Sequence, residues 1–459
     1  MEKTYHFKGL LTEQGWLTHT KVTLDTNGKI TSITPNAEPE GETVSGYALP
    51  GFQNAHSHAF QYAMAGLAEL HEGSGVPDDF WSWRNAMYDL ALTISPDDLE
   101  AIATQLYAEM VRHGYTAVTE FHYLHHQPDG SPYENLAEMG LRLIKAAKKA
   151  GIHITLVPMF YQKGGFGQAP TDKQRRFLSP TLEDYLALVD STKEACKTYD
   201  NATYGMGVHS LRAVAKEDIV ALCEQVPDSI PFHIHVSEQL KEIEDCQAFY
   251  GKRPVQWLLD TVQVKPNFHL VHATHLDDSE VKGIAASGAH VVLCPTTEGN
   301  LGDGLFRFND FKALGGKWSI GTDSHIGINP LEELRLLDYG QRLITHKRTT
   351  FYTSESGDSA FNALKMSYTS GRKAMGLPSD HFFAIGDYFD AAVFDANHPL
   401  VATASPKNLC NTLLYTQDVS KLVGTLKNGR WMVKNNLHHQ GPIIGAKFII
   451  TLKLLKTRE

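Results

Sequence analysis

Between residues 5 and 36 the chain reads "YHFKGLLTEQGWLTHTKVTLDTNGKITSITPN", with apolar and polar positions alternating in short runs that break at Thr26-Asn27-Gly28. Period-two alternation punctuated by turn residues predicts short strands. The same texture returns in "GDYFDAAVFDAN" (386–397) and "VSKLVGTLKNGRWMVKNN" (419–436), where Asn428-Gly429 is a hairpin signal. Two β-rich flanks around a long middle predict one small β-sandwich domain assembled from both chain ends, residues 1–48 and 379–459, the last stretch being a tail.

The middle, residues 49–378, has a different rhythm. Helical stretches such as "SPDDLEAIATQLYAEMVRHG" (95–114) and "NLAEMGLRLIKAAKKAG" (135–151) alternate with short β-rich runs. Those runs are "ALPGFQNAH", "YTAVTEFHY", "HITLVPMFY", "TYGMGVHSL", "FHIHVSE", "FHLVHATH", "HVVLCPTT" and "KWSIGTDSH". Strand and helix alternating eight times predict an α/β fold, a closed (β/α)8 TIM-like barrel. Almost every run carries His, Asp, Glu, Thr or Ser at its C-terminal end, and barrel enzymes place their chemistry at that end of their strands.

Composition narrows the function classes. At 459 residues and 42% hydrophobic, the chain can bury a large core. A net charge of −10 with no Lys/Arg block argues against nucleic acid as a partner, while leaving room for a few local arginines to bind a small acidic substrate. Cys196, Cys223, Cys246, Cys294 and Cys410 are odd in number and widely spaced, neither a disulfide framework nor a zinc cluster. With no secretory leader in "MEKTYHFKGLL" and no apolar run long enough for a membrane span, the expectation is a soluble cytoplasmic protein. The unusual count is 23 histidines.

Their positions suggest a metal centre. Residues i and i+2 of a strand share a face, so His56 and His58 can reach one ion together. The fifth run offers His235 near its C-terminal end, with His233 deeper and better suited to packing, and Glu238 three residues on. The sixth ends in His272 and His275, the eighth in Asp323 and then His325. Three imidazoles and a carboxylate leave an open position, as catalytic zinc sites do. Such a cation lowers the pKa of its water to about 7, and Glu238 stands beside a ligand as a proton carrier for the leaving group.

This pattern, H-x-H on strand one, His on strands five and six and Asp on strand eight, resembles the amidohydrolase superfamily. Its mononuclear deaminase branch adds a Glu three residues after the strand-five His, as His235 and Glu238 do here. The strand-four run "TYGMGVHSLRAV" has His209 and no Lys, which implies one metal per chain, Zn2+ before Fe2+ or Mn2+. The blocks "HSHAFQ", "FWSWR", "EFHYLHH", "HSLRAV", "HIHVSEQ", "RPVQWLLD", "LVHATH", "CPTTEGNLGDG", "GTDSH" and "EELRLLDYGQRL" together resemble the N-formimino-L-glutamate deiminases of histidine degradation. Tyr62, Gly299 and Thr322 depart from that pattern, standing where Arg, Ala and Ser are expected, and "QGPIIGAKFIITLKLLKTRE" matches poorly.

The resemblance implies metal ligands His56, His58, His235 and Asp323, and hydrolysis of the formimino C=N to N-formyl-L-glutamate and ammonia. It implies that Asp323 takes the proton of the attacking water, Glu238 protonates the departing nitrogen, and His272 steadies the tetrahedral intermediate. For a dicarboxylate substrate it implies Arg84 and Arg212 as clamps, with Gln61, Tyr123 and His209 as further donors. Trp81 and Trp83 are expected as packing or lid residues, and His122, His125 and His126 as neighbours of the site. A homodimer is also implied. The alternatives are a sister deaminase acting on a nucleobase or guanidino compound, a hydrolase releasing formamide, and a non-catalytic barrel.

Overall fold

Eight parallel strands lie side by side in chain order: Phe52–Ser57, Tyr115–His122, His153–Phe160, Met206–Ser210, Phe232–Val236, Phe268–His272, His290–Leu293 and Lys317–Ile320. A short extra strand, Ala202–Tyr204, pairs with the third. This is the arrangement in a computed structural model that describes residues 2–67 and 80–458, the side chains of 80–82 excepted. The first and eighth strands meet at their C-terminal ends. Ser57 bridges Asp323, the His56 carbonyl accepts from the amides of Thr322 and Asp323 (3.0 and 3.1 Å), and the Asp323 carbonyl accepts from the His58 amide (3.2 Å). The seam that closes the barrel is thus made by the residues that carry the candidate metal donors.

Strands such as "HITLVPMF" and "FHLVH" are buried along their whole length, which is why their apolar residues do not keep to a strict alternation with exposed polar ones. Helices cover the outside. Pro96–Arg112 begins at a capping box in which Ser95 and Asp98 exchange hydrogen bonds, with a proline in the first turn. Among the described residues no helix is long and apolar enough to cross a membrane.

The two chain ends form one eight-stranded sheet in which Glu42–Pro50 runs parallel to Lys3–Thr12 and antiparallel to Ala391–Asp395. The sheet curls over until Tyr5 meets Trp431 edge-on (6.2 Å) and donates its hydroxyl to the Gly429 carbonyl at 2.9 Å, giving the sandwich-like domain. The run "ALPGFQNAH" is therefore two strands rather than one. Leu49 and Pro50 pair with Ala392 and Ala391 in the small sheet, and the barrel strand starts at Phe52. Gly51 joins them because a Cβ there would stand 2.2 Å from Thr116 Cγ2. The tail also differs from expectation. Gly441–Leu455 is a helix lying against the barrel, its Phe448 ring stacked on Tyr62 (5.6 Å), and Arg458 reaches Asp98 at 2.5 Å.

Nearer the N-terminal ends of strands five to seven, His233, His269 and His290 stand in register, with ring centroids 4.8 and 5.0 Å apart. Burial pushes His233 down to about 3 and His290 to about 4, and lowers His269, His122 and His153 as well. Groups held neutral in the fold take up protons on unfolding, so each removes ~1.4 kcal/mol per pH unit below its unfolded pKa of about 6.5. Buried Glu120 (raised to about 8), Asp303 (about 9) and Glu333 act with the opposite sign over this range. The imidazoles outnumber them, so stability falls as pH drops from 6.5. Urea unfolding followed at pH 7 and pH 5.5 checks this, and an unchanged midpoint would contradict it.

Candidate active site

At the mouth of the barrel the Nε2 atoms of His56, His58 and His235 converge with Asp323. His235 Nε2 is 3.1 Å from His56 Nε2 and 3.3 Å from His58 Nε2, and Asp323 Oδ1 is 3.1 and 3.4 Å from the same two atoms. Donors about 2.0–2.1 Å from a tetrahedral ion would be separated by roughly 3.3 Å, so these spacings fit one cation. The outward nitrogens support that reading. His58 Nδ1 donates to the Phe121 carbonyl (3.1 Å) and His235 Nδ1 to the His209 carbonyl (2.8 Å), which turns both Nε2 lone pairs inward. Burial lowers the pKa of all three imidazoles and keeps them neutral, as ligation needs.

The backbone is bent to achieve this. Ser237, His272, Ala273, Asp323 and His325 all have positive φ, between 43° and 67°. Side chains other than glycine adopt that conformation rarely, and functional sites are where such strain collects. Part of what holds it is a polar frame behind the ligands. Glu120 on strand two accepts from Ser57 Oγ (2.5 Å) and the Ala59 amide (2.6 Å), and Asn54 bonds Thr322 through its side chain (2.7 Å). A second donor set, His272, Cys294 and Glu298, also lies close together. There Glu298 Oε1 already bonds His272 Nδ1 (3.2 Å) and the Cys294 amide (2.8 Å), so no cation is needed to satisfy it.

Facing the donors, His272 Nε2 lies 3.7 Å from Glu238 Oε1 and 3.9 Å from Asp323 Oδ2. Burial alone would lower the His272 pKa, but the Glu238 charge, the Glu298 hydrogen bond and Asp323 outweigh it and lift the value to about 10. Burial raises the Glu238 carboxyl, while His272 and Arg212 hold it back. A carboxyl that burial moves upward from its ordinary range, beside a cationic partner, is suited to general acid–base work.

One cleft contains His58, His235, Asp323, Glu238 and His272 together with Gln61, Arg84, Tyr123, His209 and Arg212. The residues expected as metal ligands, catalytic groups and substrate donors therefore sit in it, apart from His56, whose Nε2 stands 3.1 Å from that of His235. Gln61 donates to the Tyr123 hydroxyl at 2.9 Å. Arg84 donates from Nε to the Tyr88 hydroxyl at 2.6 Å and from Nη2 to the Tyr161 hydroxyl at 3.4 Å. Trp83 lines the wall, while Trp81 falls outside the described side chains. His125 and His126 are tied instead to the carbonyls of Met159 and Leu178, and His233 to that of Ala374. Tyr62, Gly299 and Thr322 do not line the cleft, so the departures at those positions leave its wall intact.

Sequence reasoning missed Met87, Tyr88 and Tyr161 in the wall, and Glu242 and Glu298 behind it. A signal existed for two of them. Tyr161 ends the third β-rich run, and Tyr88 stands four residues after Arg84, on the same helix face.

The model of the amidohydrolase family matches residues 47–432. A formimidoylglutamate deiminase from Pseudomonas aeruginosa is 42% identical over 431 residues, 93% of this chain and 94% of that protein. A crystal structure of an amidohydrolase from Brucella melitensis superposes with a TM-score of 0.92 at 38% identity, covering 99% of each chain. An adenosine deaminase from Xanthomonas campestris with bound zinc shares the fold at a TM-score of 0.80, with 19% identity over 99% of this chain and 98% of its own.

Proposed function

The chain belongs to the amidohydrolase family and is a hydrolase of C–N bonds, and from that premise we propose that it converts N-formimino-L-glutamate and water to N-formyl-L-glutamate and ammonia. The observation that carries this reading is the pair of arginines, Arg84 and Arg212, in the same cleft as the metal donors and Glu238. A guanidinium binds a carboxylate through two parallel hydrogen bonds, and this substrate has two carboxylates to bind. The 42%-identical deiminase supports the same substrate class.

His56, His58, His235 and Asp323 would hold one divalent cation, Zn2+ by preference. When bound, it supplies Lewis acidity and lowers the pKa of a water at its open position towards neutrality. Asp323, whose Oδ2 lies 3.9 Å from His272 Nε2, takes a proton from the attacking water. His272 Nε2 donates a hydrogen bond to the formimino carbon's heteroatom as that carbon becomes tetrahedral, a charge-stabilising contact set in place beforehand. Glu238 delivers a proton to the imino nitrogen as the carbon becomes tetrahedral, and when the C–N bond breaks that nitrogen takes the proton held by Asp323 while the oxygen's remaining proton returns to Glu238, so ammonia leaves and the carbon keeps the oxygen of water. Arg84, Arg212, Gln61, Tyr123 and His209 orient the glutamate portion so that the formimino carbon reaches Asp323 and Glu238.

The test is ammonia release from N-formimino-L-glutamate with the carbon product identified by NMR. N-formylglutamate supports the proposal, formamide with glutamate overturns the direction of cleavage, and no turnover by metal-loaded enzyme overturns the substrate. Stripping the metal with a chelator is expected to abolish ammonia release and lower Tm by several degrees. Re-adding Zn2+ should restore both, because a ligand at a hundred times its Kd stabilises the fold by about 2.7 kcal/mol. A chelated enzyme with unchanged Tm and rate would contradict the assignment of the four donors.

A further inference from the structure

Arg212 is 8% exposed, and its Nε and Nη1 have no hydrogen-bond partner. A buried guanidinium with open donors is costly unless something balances its charge. Among the described residues, the carboxylate within ion-pair distance is Glu242, whose Oε2 lies 3.6 Å from Arg212 Nη1. That is close enough to neutralise and too long for a hydrogen bond.

Glu242 is held at that distance. Its Oε1 accepts from the Ser237 amide and its Oε2 from the Glu238 amide, each at 3.1 Å. It lies in the first turn of the helix Leu240–Tyr250 and is itself 2% exposed. The turn it grips is the one in which Ser237 adopts φ 55° and from which Glu238 projects. With both oxygens engaged by backbone, the carboxylate does not swing over to occupy Arg212. The guanidinium is thereby charge-balanced yet keeps its donors open to an incoming carboxylate.

We propose that Glu242 is a positioning residue that couples the dicarboxylate clamp to the proton carrier. It neutralises Arg212 without filling it, and it fixes the turn that aims Glu238. This rests on the roles given above to Arg212 and Glu238. One side chain then sets both ends of the substrate: the anchored carboxylate through Arg212 and the reacting nitrogen through Glu238.

The test is Glu242→Gln, which keeps the shape but loses the charge and one acceptor. Metal-loaded variant is expected to show KM for N-formimino-L-glutamate raised about tenfold or more and kcat lowered about tenfold, because both an anchor and an acid–base group are disturbed. Amide hydrogen exchange at Ser237 and Glu238 should speed up, and calorimetric binding of glutarate, a bare dicarboxylate, should weaken. Glu242→Asp, which keeps the charge but is one methylene too short to span both amides, should recover more of KM than of kcat. A purely structural Glu242 would instead lower the yield or Tm of both variants while the folded fraction kept wild-type KM, kcat and exchange, and that result overturns the proposal. Wild-type enzyme that fails to turn over N-formimino-L-glutamate refutes the functional reading separately. Glutarate binding and amide exchange then still decide the inference.

Discussion

Glu238→Gln is expected to lower kcat for ammonia release by about 10³-fold, within the range that a positioned acid–base group contributes. The amide keeps the volume and the hydrogen-bonding shape of the carboxyl but carries no transferable proton. Because Glu238 is not among the four converging donors, metal content should remain at the wild-type level. Its backbone amide still meets Glu242, so the turn should survive, and KM should change far less than kcat. Rate constants at saturating substrate, with metal analysis on the same preparation, check this. A variant that retains a tenth or more of wild-type kcat would show that the proton travels by another route, with His272, 3.7 Å away, the first alternative to examine.

Arg212→Met is the second large effect, and it should fall on the other side of the rate law. The side chain is of similar length and equally able to be buried, but it offers a carboxylate no donor. Removing one partner of a buried, hydrogen-bonded charge pair costs about 2–5 kcal/mol, which corresponds to a loss in kcat/KM of roughly 30- to 5,000-fold, expected mainly as a raised KM. The variant also leaves Glu242 without its cation, although two backbone amides continue to satisfy that carboxylate. Arg212→Lys should recover little, since an ammonium cannot make the forked contact. The discriminating measurement uses a formimino substrate with one carboxylate fewer. If Arg212 binds a carboxylate, the wild-type enzyme loses affinity for the truncated substrate and Arg212→Met loses little more. Equal losses by both enzymes on both substrates would mean that Arg212 contacts neither carboxylate.

These expectations differ in how they depend on local sequence. Glu238 could be picked out because it lies three residues after a candidate ligand, and His56 and His58 because two residues along a strand return to the same face. Arg84 and Arg212 carry no such local mark. In isolation each is one of 42 basic residues, and only the motif resemblance singled them out. In the structure they line one cleft, Arg84 from the helix Phe80–Thr93 and Arg212 from the loop after strand four. Glu242 was harder still to see. An acidic residue in the first turn of a helix usually needs no explanation beyond the helix dipole. Its importance appears only when its two backbone partners and the 3.6 Å gap to Arg212 are measured.

The amino-acid sequence by itself determined the strand and helix alternation, the barrel, the two-ended β domain and the identity of the ligand types, because periodicity and residue chemistry are local and repeat along the chain. It misread the junction at Gly51, where two strands of different sheets follow one another without a loop, since continuous apolar character looks the same in either sheet. It left the last helix without a location, because an apolar segment does not specify which surface it covers. Only the tertiary structure decided that strand eight closes onto strand one through the residues that carry the candidate metal donors, and that Glu242 comes within 3.6 Å of Arg212. Both are contacts between residues far apart in the chain, with separations set by packing rather than by spacing in sequence.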